Sequence, residues 1–113
     1  MHEMSLAEGI RSIVEQVANE HGANRVATIV VQMGELAAVE LDALQFCLES
    51  VLRGSVAEGA RVEIESVAGT GLCRDCGATV PITTLYDPCV QCGGYRVQAT
   101  GGTEMRVKAL EME

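Results

Sequence analysis

The 113-residue sequence has no tryptophan, one phenylalanine and two tyrosines, so aromatic packing cannot anchor its core. Its 48% hydrophobic content must act through valine, leucine, isoleucine and alanine. Basic residues are also scarce, with 8 Lys and Arg against 16 Asp and Glu, a formal charge of −8. Arg11, Arg25, Arg53, Arg61, Arg74, Arg96, Arg106 and Lys108 are scattered singly. Such a chain repels phosphate backbones, which argues against nucleic-acid binding, and attracts cations and basic partners. No apolar run approaches a membrane span. No secretory signal is expected, because Glu8, Arg11 and Glu15 interrupt the first apolar segment. Histidine is limited to His2 and His21. There is no glycine-rich phosphate loop, G-x-S-x-G, H-E-x-x-H or paired-carboxylate motif for catalysis to run on. The expectation is a cytosolic protein that is not an enzyme.

What is present divides the chain. Ser5 and Glu8 read as a capping box opening a helix that runs to about His21 and stops at Gly22. Leu6, Ile10, Ile13, Val14 and Val17 form its expected apolar face. Residues 26–33 read as a strand, with Ala27, Ile29, Val31 and Met33 on one side. A second helix is predicted over 40–53, its stripe formed by Leu41, Leu44, Leu48, Val51 and Leu52. Ser55 and Glu58 suggest one further capped turn. Residues 61–67 alternate as a half-buried strand, and residues 103–112 alternate with a phase slip between Ala109 and Leu110. Residues 69–102 differ in kind, holding seven of the twelve glycines, both prolines and four of the five cysteines. The expected architecture is therefore α+β. A small α/β domain, residues 1–68 and 103–113, has two helices on a mainly antiparallel sheet and is interrupted by a metal module, 69–102.

Cys73, Cys76, Cys89 and Cys92 form C-x₂-C-x₁₂-C-x₂-C. Two residues between thiolates let each pair wrap one ion, and two such pairs complete a tetrahedral Cys₄ zinc site with no open position, hence structural. Two disulfides do not suit a cytosolic setting, and a redox dithiol lacks its βαβ context. Cys47 lies on the apolar side of the second helix and reads as a buried small hydrophobe. His21 ends the first helix on its apolar side and reads as a capping or packing residue. Phe46, which points away from the Leu44 stripe, is expected to pack at the edge of a neighbouring element, with partner docking as the alternative.

The first residues carry a second metal signal. The Met1 amine, the His2 amide nitrogen and the His2 imidazole can chelate one ion, with the Glu3 amide as a fourth nitrogen. A square of nitrogens that includes deprotonated amides suits Ni(II) or Cu(II) rather than zinc. The bulk of His2 should protect Met1 from removal.

The opening Met-His-Glu-Met-Ser-Leu, Gly34-Glu35-Leu36, residues 53–59 (Arg-Gly-Ser-Val-Ala-Glu-Gly), the two C-x-x-C pairs and the stretches 104–107 and 110–112 together resemble the HypA/HybF family. These are nickel metallochaperones of [NiFe]-hydrogenase maturation. The resemblance implies a nickel site at Met1, His2 and Glu3, and zinc on Cys73, Cys76, Cys89 and Cys92. It implies two partners, a hydrogenase-accessory GTPase (HypB) and the hydrogenase large-subunit precursor, with urease maturation served by some members. Charge and the lack of a long apolar run add the expectation of no nucleic-acid partner and no membrane insertion. Certain members add a histidine near the second pair, where this chain has Gly93 and Gly94. The competing readings are a zinc-ribbon interaction or regulatory module without nickel, and a thiol redox protein. Metal analysis separates them: a chaperone takes zinc and exchangeable nickel, a ribbon zinc alone, a redox protein neither.

Overall fold

The computed structural model describes residues 2–113, so Met1, one of the expected nickel ligands, lies outside the described residues. The elements are α1 (Glu3–Glu20), β1 (Val26–Gly34), a 3₁₀ turn (Glu35–Ala37), α2 (Leu41–Val51), β2 (Arg61–Val67), β3 (Thr70–Cys73), β4 (Thr79–Pro81), β5 (Val97–Gly101) and β6 (Met105–Met112). Among the described residues there are two three-stranded sheets, of order β2-β1-β6 and β4-β3-β5. Two helices with these sheets make the α+β class that the sequence implies. None of the described helices is long and apolar enough to cross a membrane. The chain forms two compact units. One takes the chain up to Val31, with Val39–Ile64 and Val107–Glu113; the other takes Gln32–Ala38 and Glu65–Arg106.

In the first unit, α1 starts at Glu3, two residues ahead of the expected Ser5 cap. Nothing at Glu3 or Met4 resists a helix, and an acidic residue in the first turn complements the helix dipole. His2 becomes the N-cap, with φ −82° and ψ 108°, and its side chain makes no capping bond. The inward face is also rotated from the expected one. Ala7, Ile10, Val14 and Ala18 are buried, while Ile13 is 43% exposed. The helix packs against α2. The Arg11 guanidinium reaches the Val51 carbonyl at 2.7 Å, closing the end of α2. His21 caps α1 as expected, its Nδ1 donating to the Val17 carbonyl at 2.9 Å, and Gly22 follows with φ +64°.

Of the expected inner side of β1, Ile29, Val31 and Met33 are buried and Ala27 is half-buried; Val26, at the start of the strand, is buried as well. Glu40 caps α2, its carboxylate accepting from the Asp42 N–H at 3.3 Å. Leu44, Leu48 and Leu52 are buried, whereas Leu41 is 41% exposed, and Cys47 is half-buried. Phe46 is 72% exposed, which corrects the expectation that it packs against a neighbour. The helix turns it to the side opposite Leu44 and Leu48. The expected capped turn at Ser55 forms out of step. Ser55 Oγ accepts from the Ala57 N–H at 3.1 Å, but Glu58 reaches back to the Gly54 N–H at 3.1 Å, and the segment stays a series of turns. Along β6, Lys108 and Ala109 are both exposed within an otherwise alternating pattern, where the phase slip was expected.

In the second unit, β3 is the central strand and pairs antiparallel with β4 (Gly71↔Val80) and with β5 (Leu72↔Gln98). Leu36, Cys73, Val80, Ile82 and Cys89 form its buried core. Leu36 comes from the 3₁₀ turn, whose segment is tied in by Leu36 N–H to Gly102 C=O and Gly34 N–H to Glu104 C=O, both 2.8 Å. Glycine is required at this crossing: a Cβ on Gly34 would lie 2.1 Å from the Gly102 carbonyl oxygen.

Candidate metal centre

The two cysteine pairs sit on turns built alike. In the first, the Cys73 N–H donates to Ala78 C=O at 2.9 Å and the Gly77 N–H to Cys73 C=O at 2.8 Å. In the second, the Cys89 N–H donates to Gly94 C=O at 2.7 Å and the Gly93 N–H to Cys89 C=O at 2.8 Å. Each turn closes through a left-handed glycine, Gly77 at φ +76° and Gly93 at φ +75°, a conformation that strains any residue with a Cβ. In each pair the first cysteine, Cys73 or Cys89, is buried in the core, and the second, Cys76 or Cys92, is exposed.

The turns bring all four Sγ atoms within 4.8 Å of one another. Cys73 and Cys92 sulfurs are 3.6 Å apart, and those of Cys76 and Cys89 are 3.7 Å apart. A disulfide would need about 2.05 Å. Four thiolates around one tetrahedral ion at about 2.3 Å would instead sit roughly 3.8 Å apart. The sulfurs therefore have the spacing of a tetrahedral S₄ cage, and the donor set suits zinc. With all four positions taken by protein, a bound ion would have none left for a substrate.

Electrostatics make the same demand. The thiol of Cys89 is lowered to about 7, chiefly by the Cys92 N–H, with the Gln91 N–H assisting against the loss of water. Cys92 goes the other way, to about 12. The Gly94 N–H favours its thiolate, but the Cys73 sulfur, lost solvation and the other two sulfurs prevail. Cys76 is also raised: the Ala78 N–H favours the thiolate, while lost solvation and the sulfurs of Cys73 and Cys89 oppose it. Four sulfurs this close cannot all ionise unaided, and a dication removes that conflict.

Neighbouring polar residues that the sequence analysis did not single out brace the turns. Asp87, two residues before Cys89, accepts from the Thr83 N–H at 2.7 Å, from Thr83 Oγ1 at 2.9 Å and from Thr84 Oγ1 at 2.6 Å. Those bonds, led by the Thr84 hydroxyl, hold its carboxyl at about 2. Asp75, within the first pair, binds Arg96 at 3.2 Å. A Cβ on Gly94 would come within 2.6 Å of the same Asp75 carboxylate. Threonines three and four residues before Asp87 are a turn signal that reading for metal ligands alone passes over. Leu36, distant in sequence, joins the core beside Cys73 and Cys89 without a local signal for it.

Among the described residues the cysteine cluster is where three or more potential ligands converge. His2 is exposed and adjoins half-buried Glu3 at the start of α1. The first α-helical bond there runs from the Leu6 N–H to the His2 carbonyl, at 3.2 Å. The amides of His2 and Glu3 thus precede the helical ladder and have no partner within it.

Residues 1–112 match the family model described as "Hydrogenase/urease nickel incorporation, metallochaperone, hypA". The chain is 64% identical over 112 residues to the hydrogenase maturation factor HypA of Azoarcus sp. (strain BH72), covering 99% of this chain and 98% of that one. It is 52% identical over 113 residues to the same factor of Dechloromonas aromatica (strain RCB), covering all of both chains. The solution structure of the nickel metallochaperone HypA from Helicobacter pylori matches with a TM-score of 0.73 at 28% identity, covering 99% of this chain and 97% of that one.

Proposed function

The chain belongs to the HypA family of hydrogenase and urease nickel-incorporation metallochaperones, and from that premise we propose that it carries Ni(II) on its first three residues while zinc holds its cysteine module together. Nickel is the cargo. Its donors are the Met1 amine, the His2 amide and imidazole, and the Glu3 amide. The recipient is the precursor of a [NiFe]-hydrogenase large subunit, reached with the accessory GTPase, in the cytosol and without catalysis by this chain. Zinc is resident, on Cys73, Cys76, Cys89 and Cys92, where it supplies cross-linking and no open coordination position. The nickel function is assigned to residues 1–68 with 103–113, and the zinc module to residues 69–102.

One observation carries the nickel reading, namely where α1 starts. Because the helix opens at Glu3, His2 lies in extended conformation with its imidazole free of any capping bond. Deprotonating the His2 and Glu3 amides breaks no helical hydrogen bond, since both precede the ladder. A donor set at a chain end can also be transferred one nitrogen at a time to an acceptor, which a closed cage cannot.

The test is a nickel titration of untagged protein against two variants. His2→Ala should abolish tight nickel binding and leave zinc content and melting temperature unchanged, because a terminal residue contributes little to the core. His21→Ala should bind nickel as well as the parent, as its ring is engaged with the Val17 carbonyl. Undiminished nickel binding by His2→Ala would overturn the assignment.

A further inference from the structure

We infer that the groove between α2 and β2 is a docking surface for a basic amphipathic helix of a partner protein. Phe46, the only phenylalanine in the chain, is 72% exposed although most large apolar side chains of this unit are covered. It overlooks a 510 Å³ groove to which Leu52, Ala60 and Val62 contribute apolar surface. Gln45 closes the groove between helix and strand, its Nε2 donating to the Val62 carbonyl at 3.4 Å.

Charge decides the occupant. Asp42 and Glu49 line the same groove, on the same side of α2 as Phe46. They bracket the ring, one turn before it and about one turn after it. Their separation along the axis is about 10 Å, at roughly 1.5 Å per residue. Among the described residues no cation pairs with either carboxylate; the nearby Arg61 is engaged with Glu63 at 3.1 Å. A helix with an apolar anchor flanked by lysine or arginine two turns apart matches this spacing and sign. A second copy of this chain does not, because two molecules of charge −8 would bring acidic faces together. Anionic lipid and nucleic acid fail on the same ground. The surface uses none of the proposed metal ligands, so it stands or falls separately from the nickel reading.

The test uses the full, zinc-loaded chain and a synthetic leucine–lysine helical peptide of about 18 residues, long enough to be helical when bound, with a leucine–glutamate peptide as its counterpart. The basic peptide should bind, shift amide resonances within residues 41–62, and weaken with added salt. Phe46→Ala should weaken binding at least about tenfold, the loss of a central aromatic anchor. Asp42→Asn with Glu49→Gln should weaken it several-fold and flatten the salt dependence. Because all three side chains face solvent, the variants should keep the parent's zinc content and melting temperature. Equal affinity in Phe46→Ala, equal binding of the acidic peptide, shifts on another face, or no binding up to about 1 mM, the weak end of protein recognition, would each overturn the proposal. So would a concentration-dependent dimer that Phe46→Ala abolishes, since the groove would then belong to a second copy.

Discussion

The cysteine cluster and the proposed nickel site at the start of the chain draw on very different amounts of protein. At the cluster, paired turns, two left-handed glycines, a buried core and polar braces set the positions of four sulfurs. At the chain start the described structure contributes one helix boundary and one exposed imidazole. The cluster depends on side-chain identity at four positions. The proposed nickel donors are mostly main-chain nitrogens, which any residue possesses, so that site depends on position within the chain. A cage of the first kind keeps its ion; a chelate of the second kind can give its ion away.

The largest effect should come from breaking the cage. Cys73→Ala or Cys92→Ala should lose zinc and unfold residues 69–102, because apparent zinc binding in small modules, on the order of 10–16 kcal/mol, is also their folding energy. The helices of the first unit should persist, since Ala7, Ile10, Val14, Leu44 and Leu48 form a core that includes no cysteine ligand. Zinc analysis with amide spectra checks both halves. A variant that kept both its zinc and an ordered module would refute the Cys₄ cage.

Smaller changes dissect the cage itself. Gly93→Ala places a Cβ at φ +75° and should cost about 1–2 kcal/mol of module stability in thermal melts. Gly94→Ala meets no backbone strain but places its Cβ 2.6 Å from the end of the Asp75 side chain and 3.3 Å from the Cys92 sulfur. Asp75 can swing aside at the loss of its exposed Arg96 pair, so the cost should stay below about 1 kcal/mol. If the two substitutions cost the same, the glycine pair does not divide its roles as described.

The mildest probe is the Asp87 brace. The folded value of Asp87, about 2, lies below its ordinary 3.8, so its bonds stabilise the loop above about pH 4 and are lost as pH falls toward 2. Acid that strong also protonates the cysteine ligands and releases zinc, so the brace is tested at neutral pH on zinc-loaded protein: Asp87→Asn should lower the melting temperature of the module slightly and speed amide exchange at Thr83, whose N–H it accepts. Unchanged exchange and melting would mean that the threonines do not brace the turn before Cys89.

How much of this was legible in the sequence follows from how local each signal is. The cysteine spacing is local and specific, and the structure brings those four residues together. The strand at 61–67 and both helices were legible from apolar periodicity. Strands β3, β4 and β5 were not, being three to five residues long in a glycine-rich stretch where alternation has no room to register. The facing of α1 failed because periodicity fixes a stripe but not which edge of it turns inward; Ala7 and Ala18 lie on that edge. Ser5 lost the cap because nothing before it forbids a helix. Leu36 was out of reach, since its burial among residues 73–89 is a long-range contact.

The most direct test of the division between the two sites is to place one glycine before Met1 and measure both metals on that protein and on the untagged parent. Every side chain stays in place, but the terminal amine becomes an amide, displaced from the chelate. The account predicts one tightly held zinc in both proteins and the loss of tight nickel binding from the extended one alone. Equal nickel affinity in the two would contradict a site defined by the chain terminus.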